Sequence, residues 1–119
     1  WQDVGPSGRL SSKGAPMASD VLVFFVPADD TSDVIESVCA VGAGKVGDYV
    51  ECAFIAPGIG QFRPVGDADP AIGEVGELTK VEENRVEIMF PREIRDRVLT
   101  ALMDAHPYEE PVFHIIRND

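Results

Sequence analysis

An α+β sandwich, with two helices on one face of a four-stranded antiparallel sheet, is the fold that three features of this 119-residue sequence predict. Two short apolar runs of strand length, residues 21–26 and 112–116, lie towards the two ends of the patterned stretch. Between them, Val34, Ile35, Val38 and Val41, and later Ile94, Val98, Ala101, Leu102 and Ala105, recur at helical spacing. The middle of the chain instead alternates with period two. Strand, helix, strand, strand, helix, strand is the order of two βαβ halves, which gives the ferredoxin-like split βαβ sandwich.

Each element has a local cause. Residues 21–26 (Val-Leu-Val-Phe-Phe-Val) are continuously β-branched, aliphatic or aromatic and end at Pro27, as a strand buried on both faces would. Asp29 and Asp30 are placed to cap the first helix, and Gly42 and Gly44 to stop it. Residues 42–76 hold eight of the eleven glycines, so this stretch reads as turns around an extended hairpin. Val50, Cys52, Phe54 and Ala56 share one strand face, residues 57–60 (Pro-Gly-Ile-Gly) read as a turn, and residues 61–65 as a short edge strand. Residues 66–76 read as a long loop. From about residue 77 to 90, Val86, Ile88 and Phe90 alternate with Arg85, Glu87 and Met89, giving one core face and one charged face. Pro91 fits the first position of the second helix. Arg92, Arg95 and Arg97 near its start oppose the helix dipole, which calls for a partner elsewhere.

Composition narrows the function. Ten Lys and Arg against 21 Asp and Glu give a formal net charge of −11, which disfavours nucleic acid and anionic membranes and favours solubility or a cationic partner. No apolar run approaches the roughly 20 residues that span a bilayer. Cys39 and Cys52 form no CxxC pair or disulfide framework and read as small hydrophobes, with a soft-metal or redox role as the alternatives. The expected location is cytoplasmic. Residues 1–16, rich in Gly, Ser and Pro and preceding Met17, read as an expression tag or linker, leaving a single domain over residues 17–119.

The segment His106-Pro107-Tyr108-Glu109-Glu110-Pro111 concentrates polar chemistry between two prolines. Each proline fixes its own φ and drives the preceding residue out of the helical region, so the helix should stop near Ala105 and the connector should be stiff. His106, Glu109, Glu110 and His114, with Cys52 as a further donor, are the candidate ligands of a divalent metal ion, because imidazole and carboxylate suit zinc or copper. The competing reading is structural: two histidines eight residues apart follow no established ligand spacing, and His114 alternates with Phe113 and Ile115 on a strand. Tyr108 with the two carboxylates has the groups for acid–base work, but no nucleophile or oxyanion donor accompanies them, so an enzyme is not expected. The run at residues 42–47 (Gly-Ala-Gly-Lys-Val-Gly) follows a helix, whereas phosphate-binding glycine loops follow a strand and open a helix.

These residues also carry a resemblance. The blocks at 41–49, 52–54, 58–62, 72–76, 81–83 and the 106–111 motif are similar to the inserted domain of the Nif-three-like dinuclear-metal proteins, in the same order and over essentially residues 21–116. The 106–111 motif is also similar to the C-terminal segment of the CutA divalent-ion-tolerance proteins. The resemblance implies a PII/CutA-like version of the fold and assembly as a trimer. It does not carry over the dinuclear centre, whose histidine-rich ligands lie outside the inserted domain and have no counterpart in a chain with two histidines. The expectation is a non-catalytic PII/CutA-like module. It would bind a divalent metal ion or a small ligand at subunit clefts of a homo-oligomer. The alternative is a protein that docks on a separately encoded metal-core partner. The sheet face left bare by the helices independently calls for self-association.

Overall fold

The computed structural model describes residues 18–118. The reading of residues 1–16 as a tag lies outside them. Strand β1 (Ser19–Pro27) leads through a 3-10 turn (Ala28–Asp30) into helix α1 (Thr31–Ala40). Strands β2 (Phe54–Phe62) and β3 (Thr79–Pro91) follow, then a second 3-10 turn (Arg92–Ile94), helix α2 (Arg95–Ala105) and strand β4 (Phe113–Asn118). The sheet order is β2-β3-β1-β4, and every neighbouring pair is antiparallel. This is the four-stranded ferredoxin-like sandwich, with the core between the sheet and the two helices.

The core follows from alternation along β1 and β3. Leu22, Phe24 and Val26 of β1 and Val86, Ile88 and Phe90 of β3 point to the helices. There they meet Val34 and Val38 of α1 and Val98 and Leu102 of α2, all fully buried. Burying each such side chain is worth about 1.5–3 kcal/mol. Val23, on the opposite face of β1, is fully buried as well.

Register defines the opposite face, because residues paired across strands share a side. One row runs Phe54, Glu87, Val23, His114, and the next runs Ala56, Arg85, Phe25. A third places Met89, Val21 and Ile116 together. Among the described residues no helix lies over these rows. Phe54 is 51% exposed and Ile116 49%.

Three local expectations are corrected. Residues 57–60 are not a turn: Pro57, Gly58, Ile59 and Gly60 lie inside β2, paired with Asn84, Glu83, Glu82 and Val81. The reason is position. β2 is an edge strand, where a missing N–H costs nothing on the solvent side. A Cβ at Gly60 would push the Glu83 carboxylate from the place it holds beside Tyr108. Consequently Val50 and Cys52 precede the strand, no separate strand forms over 61–65, and the true connector to β3 is residues 63–78. Pro91 is not inside the second helix. It ends β3 with φ −63° and ψ 130° and serves as the N-cap of the 3-10 turn. The first helix also starts without a carboxylate cap: Asp30 makes no side-chain capping bond, and the buried Thr31 hydroxyl donates to the Pro27 carbonyl at 3.3 Å. Asn84 Nδ2 in turn donates to that hydroxyl oxygen at 2.9 Å.

Arg92 has the partner that its place near the helix start demanded. Its Nε and Nη2 grip the two oxygens of the buried Asp20 at 2.9 and 2.8 Å, a bidentate clamp between the start of β1 and the β3–α2 junction. The Asn118 amide adds a third bond to Asp20 at 3.2 Å. The Arg92 guanidinium holds the Asp20 carboxyl down at about 2, from an ordinary 3.8. A depressed carboxyl contributes stability that is present above the unfolded value and lost as pH falls through the folded one. Asp20→Asn should therefore lower the thermal midpoint at pH 7. The gap to the parent should close between about pH 4 and pH 2, as followed by circular dichroism.

Candidate functional site

Between the end of the bare sheet face, the 63–78 connector and the segment after α2 lies a cleft of about 630 Å³. Its floor is β2 with Phe25, Glu83 and Arg85, and its walls are the connector and residues 108–112. The volume lies within the roughly 300–1,000 Å³ of small-molecule sites, and the lining is mostly apolar with few polar groups, as such sites are.

The wall at 106–111 is built from local chemistry. Pro107 forces His106 to φ −73° and ψ 134°, so α2 ends at Ala105 as its sequence predicts. The last turn is closed by the His106 amide donating to the Leu102 carbonyl at 2.9 Å. The His106 ring is buried beside β1. The Tyr108 amide donates to its Nδ1 at 3.1 Å, which requires that nitrogen to be unprotonated. Nε2 therefore carries the proton and donates to the Phe25 carbonyl at 2.6 Å. Imidazole thus splices the connector to β1 by two bonds to backbone.

Tyr108 follows from this splice. Its ring stacks against His106, with centroids 5.0 Å apart, and meets Phe62 edge-on at 5.9 Å. Its hydroxyl donates to Glu83 Oε2 at 2.5 Å. The glycine at position 60 leaves the room into which the Glu83 carboxylate lies. Partial burial, and then the bond to the Glu83 carboxylate, push the Tyr108 phenol well above its ordinary value of 10. Across the cleft the Asp69 amide donates to Glu109 Oε1 at 3.4 Å, and Arg63 Nη1 donates to the Gly76 carbonyl at 2.8 Å. The Gly76 amide bonds the Pro64 carbonyl at 2.7 Å, so the connector's neck is closed on itself.

The four candidate metal ligands are distributed as follows. Glu109 and Glu110 are exposed at the cleft wall. His106 is buried behind it with both ring nitrogens engaged, and a metal there would have to displace one of those bonds. His114 is exposed on the bare sheet face, edge-on to Phe25 at 6.3 Å. Among the described residues, no three His, Cys, Asp or Glu side chains of one protomer cluster to hold a metal ion. Cys52 lies away from this group, next to Cys39. Glu83, Phe25 and Phe62 were not singled out as site residues by the sequence. Extending the Arg85/Glu87 alternation one step back would have put Glu83 on the same face, but no local signal ties it to a tyrosine 25 residues later. Arg85 bridges to Glu87 at 3.3 Å and sits over the Phe25 ring at 5.7 Å.

Sheet order, helix placement and the long β2–β3 connector define a PII/CutA-like domain. No family model matches the sequence. Individual proteins do. The chain is 43% identical over 96 residues to the "GTP cyclohydrolase 1 type 2 homolog" of Mycobacterium leprae, a match covering 81% of this chain and 25% of that protein. It superposes on a Bacillus cereus protein related to NIF3 with a TM-score of 0.71 and 33% identity, over 87% of this chain and 26% of that one. The divalent cation tolerance protein CutA of Archaeoglobus fulgidus shares the fold alone, with a TM-score of 0.59 at 12% identity over 85% and 84% of the two chains. The chain is thus a PII/CutA-like domain of the kind that NIF3-related proteins carry, and it spans about a quarter of the length of the curated relatives it matches. Among the described residues no helix is long and apolar enough to cross a membrane.

Tyr108→Phe should remove the phenol–carboxylate bond and cost about 1 kcal/mol at pH 7, measured by denaturant unfolding. A raised phenol contributes stability that is complete below pH 10 and lost as pH rises through the folded value. The parent should therefore retain one phenol that resists ionisation in an ultraviolet titration, and the variant should not.

Proposed function

We propose that this chain is a non-catalytic PII/CutA-like binding module of the cytoplasm. It self-associates, as a trimer, and takes a small ligand or a divalent metal ion where clefts meet subunit boundaries. The observation that carries the reading is the 630 Å³ cleft, floored by the uncovered sheet face and framed by stiff, hydrogen-bonded backbone. The frame is stiffened by the splice at His106, the Tyr108–Glu83 bond and the closed neck of the connector, and a stiff frame lowers the ordering cost of binding. The bare rows bearing Phe54, Val21 and Ile116 supply the apolar surface that a second copy would cover. For the metal arm, Glu109, Glu110 and His114 supply oxygen and imidazole donors that a subunit boundary would bring together, with His106 joining only if it gives up a backbone bond. The excess of acidic residues raises the local concentration of cations.

A second reading has its own support. The relatives join a region like this one to three times as much further chain. The module would then dock on such a remainder, a dinuclear-metal core, through the same bare face.

Two measurements test these readings. Sedimentation equilibrium at micromolar concentration should give a closed oligomer, and Ile116→Asp should shift it to protomers while far-ultraviolet circular dichroism stays unchanged. A monodisperse parent monomer removes self-association. Titration with Zn²⁺ by calorimetry should show uptake that falls at least tenfold in a Glu109→Gln, Glu110→Gln double variant and in His114→Ala. Uptake unchanged in all of them removes the metal site and leaves the small-ligand arm.

A further inference from the structure

Cys39 and Cys52 are thirteen positions apart and belong to different segments, the last turn of α1 and the connector before β2. The fold brings the Cys39 sulfur and the Cys52 backbone to the two sides of one glycine. Gly44 holds φ +82° between them, and a Cβ on it would lie 3.0 Å from Cys39 Sγ and 3.2 Å from both the backbone N and O of Cys52. Two bonds fix this approach: the Gly44 amide donates to the Met89 carbonyl at 2.7 Å, and the Cys52 amide donates to the Gly44 carbonyl at 2.9 Å. Glu51, with φ +59°, makes the bend that carries Cys52 back beneath the end of α1. The glycine is the only residue type that lets a helix-end sulfur and a strand-entry backbone close on each other at this spacing. Both side chains are half-buried, which leaves each sulfur partly open to solvent.

We propose that Cys39 and Cys52 form a reversible intrachain disulfide, making this corner of the fold a thiol-oxidation site for hydroperoxides. The Cys52 sulfur turns to the Val50 carbonyl at 3.9 Å on the exposed side of this corner and meets an oxidant first, while burial, then the Glu51 carboxylate and Cys52, raise the Cys39 thiol above its usual 9.0. The Cys52 thiolate attacks the outer peroxide oxygen. The O–O bond breaks, a sulfenic acid forms and an alcohol or water leaves. The Cys39 sulfur then attacks the sulfenic sulfur. The S–S bond forms, the S–O bond breaks and the hydroxyl departs as water with the Cys39 proton. The two cysteines together lose two electrons, which reduce one peroxide bond. The bridge ties the end of α1 to the entry of β2, two residues ahead of the strand that floors the cleft.

Dilute hydrogen peroxide, followed by iodoacetamide and mass spectrometry of the folded chain, tests this. The treated protein should be lighter by two hydrogens, take up no alkyl group, yield a linked peptide pair containing residues 39 and 52, and regain two alkylatable thiols with dithiothreitol. Under the same treatment Cys39→Ser should accumulate a sulfenic acid that dimedone traps, and Cys52→Ser should do so at least several-fold more slowly. Two alkyl groups still taken up after peroxide, or a link that joins two chains and grows with protein concentration, overturns the proposal. So does faster trapping in Cys52→Ser than in Cys39→Ser. None of these readouts depends on the cleft binding anything.

Discussion

Strand β1 is the constraint on which the rest of the molecule depends. It lies between β3 and β4, pairs with both, and has Leu22, Val23, Phe24 and Val26 fully out of water. Its start is clamped by Asp20 to Arg92, and its end presents the Phe25 carbonyl to His106 and the Pro27 carbonyl to Thr31. Both helices are therefore registered against one strand. A shift of one residue would exchange Leu22, Phe24 and Val26 for Val21, Val23 and Phe25 and would break all three anchors at once.

From that register the cleft follows. Pairing with β1 sets β3, which puts Glu83 opposite Pro27 at the end of the strand. Pairing with β3 sets β2, which puts Gly60 where the Glu83 carboxylate can lie over the backbone. The His106 splice then delivers Tyr108 to that carboxylate. The polar groups of the wall are spent largely on holding the wall: His106 on two backbone partners, Tyr108 on Glu83, and Glu109 on the connector. Glu110, His114 and Arg85 face outward from it, and any ligand or neighbouring subunit would meet those first.

The helices, β1, the long β3 and β4 were legible because their signals are local and periodic. Burial on one stripe or one face writes itself into spacing at 3.6 or 2.0 residues. The proline-bracketed end of α2 was legible for a similar reason, since the steric effect of Pro107 acts on its immediate neighbour. β2 was not legible. Its proline and glycines carry a strong turn signal, and only the presence of β3 on one side and solvent on the other makes them acceptable in an edge strand. Of the 106–111 segment, Tyr108, Glu109 and Glu110 line the cleft, whereas its other lining residues Glu83, Phe25 and Phe62 are contributed by three separate strands.

The sequence by itself determined the order of elements, the sandwich and the residues of its core, because these depend on burial and on steric preferences that act over a few neighbouring positions. Tertiary structure alone decided that Tyr108 would meet Glu83, that His106 would turn both nitrogens to backbone, that Arg92 would close on Asp20, and that two cysteines would converge on one glycine. Tyr108 and Glu83, His106 and Phe25, and Arg92 and Asp20 are each separated along the chain by a whole element or more, and the two cysteines by a thirteen-residue step across a glycine-rich connector. Contacts of that kind are selected by sheet register and helix packing, which no local pattern records.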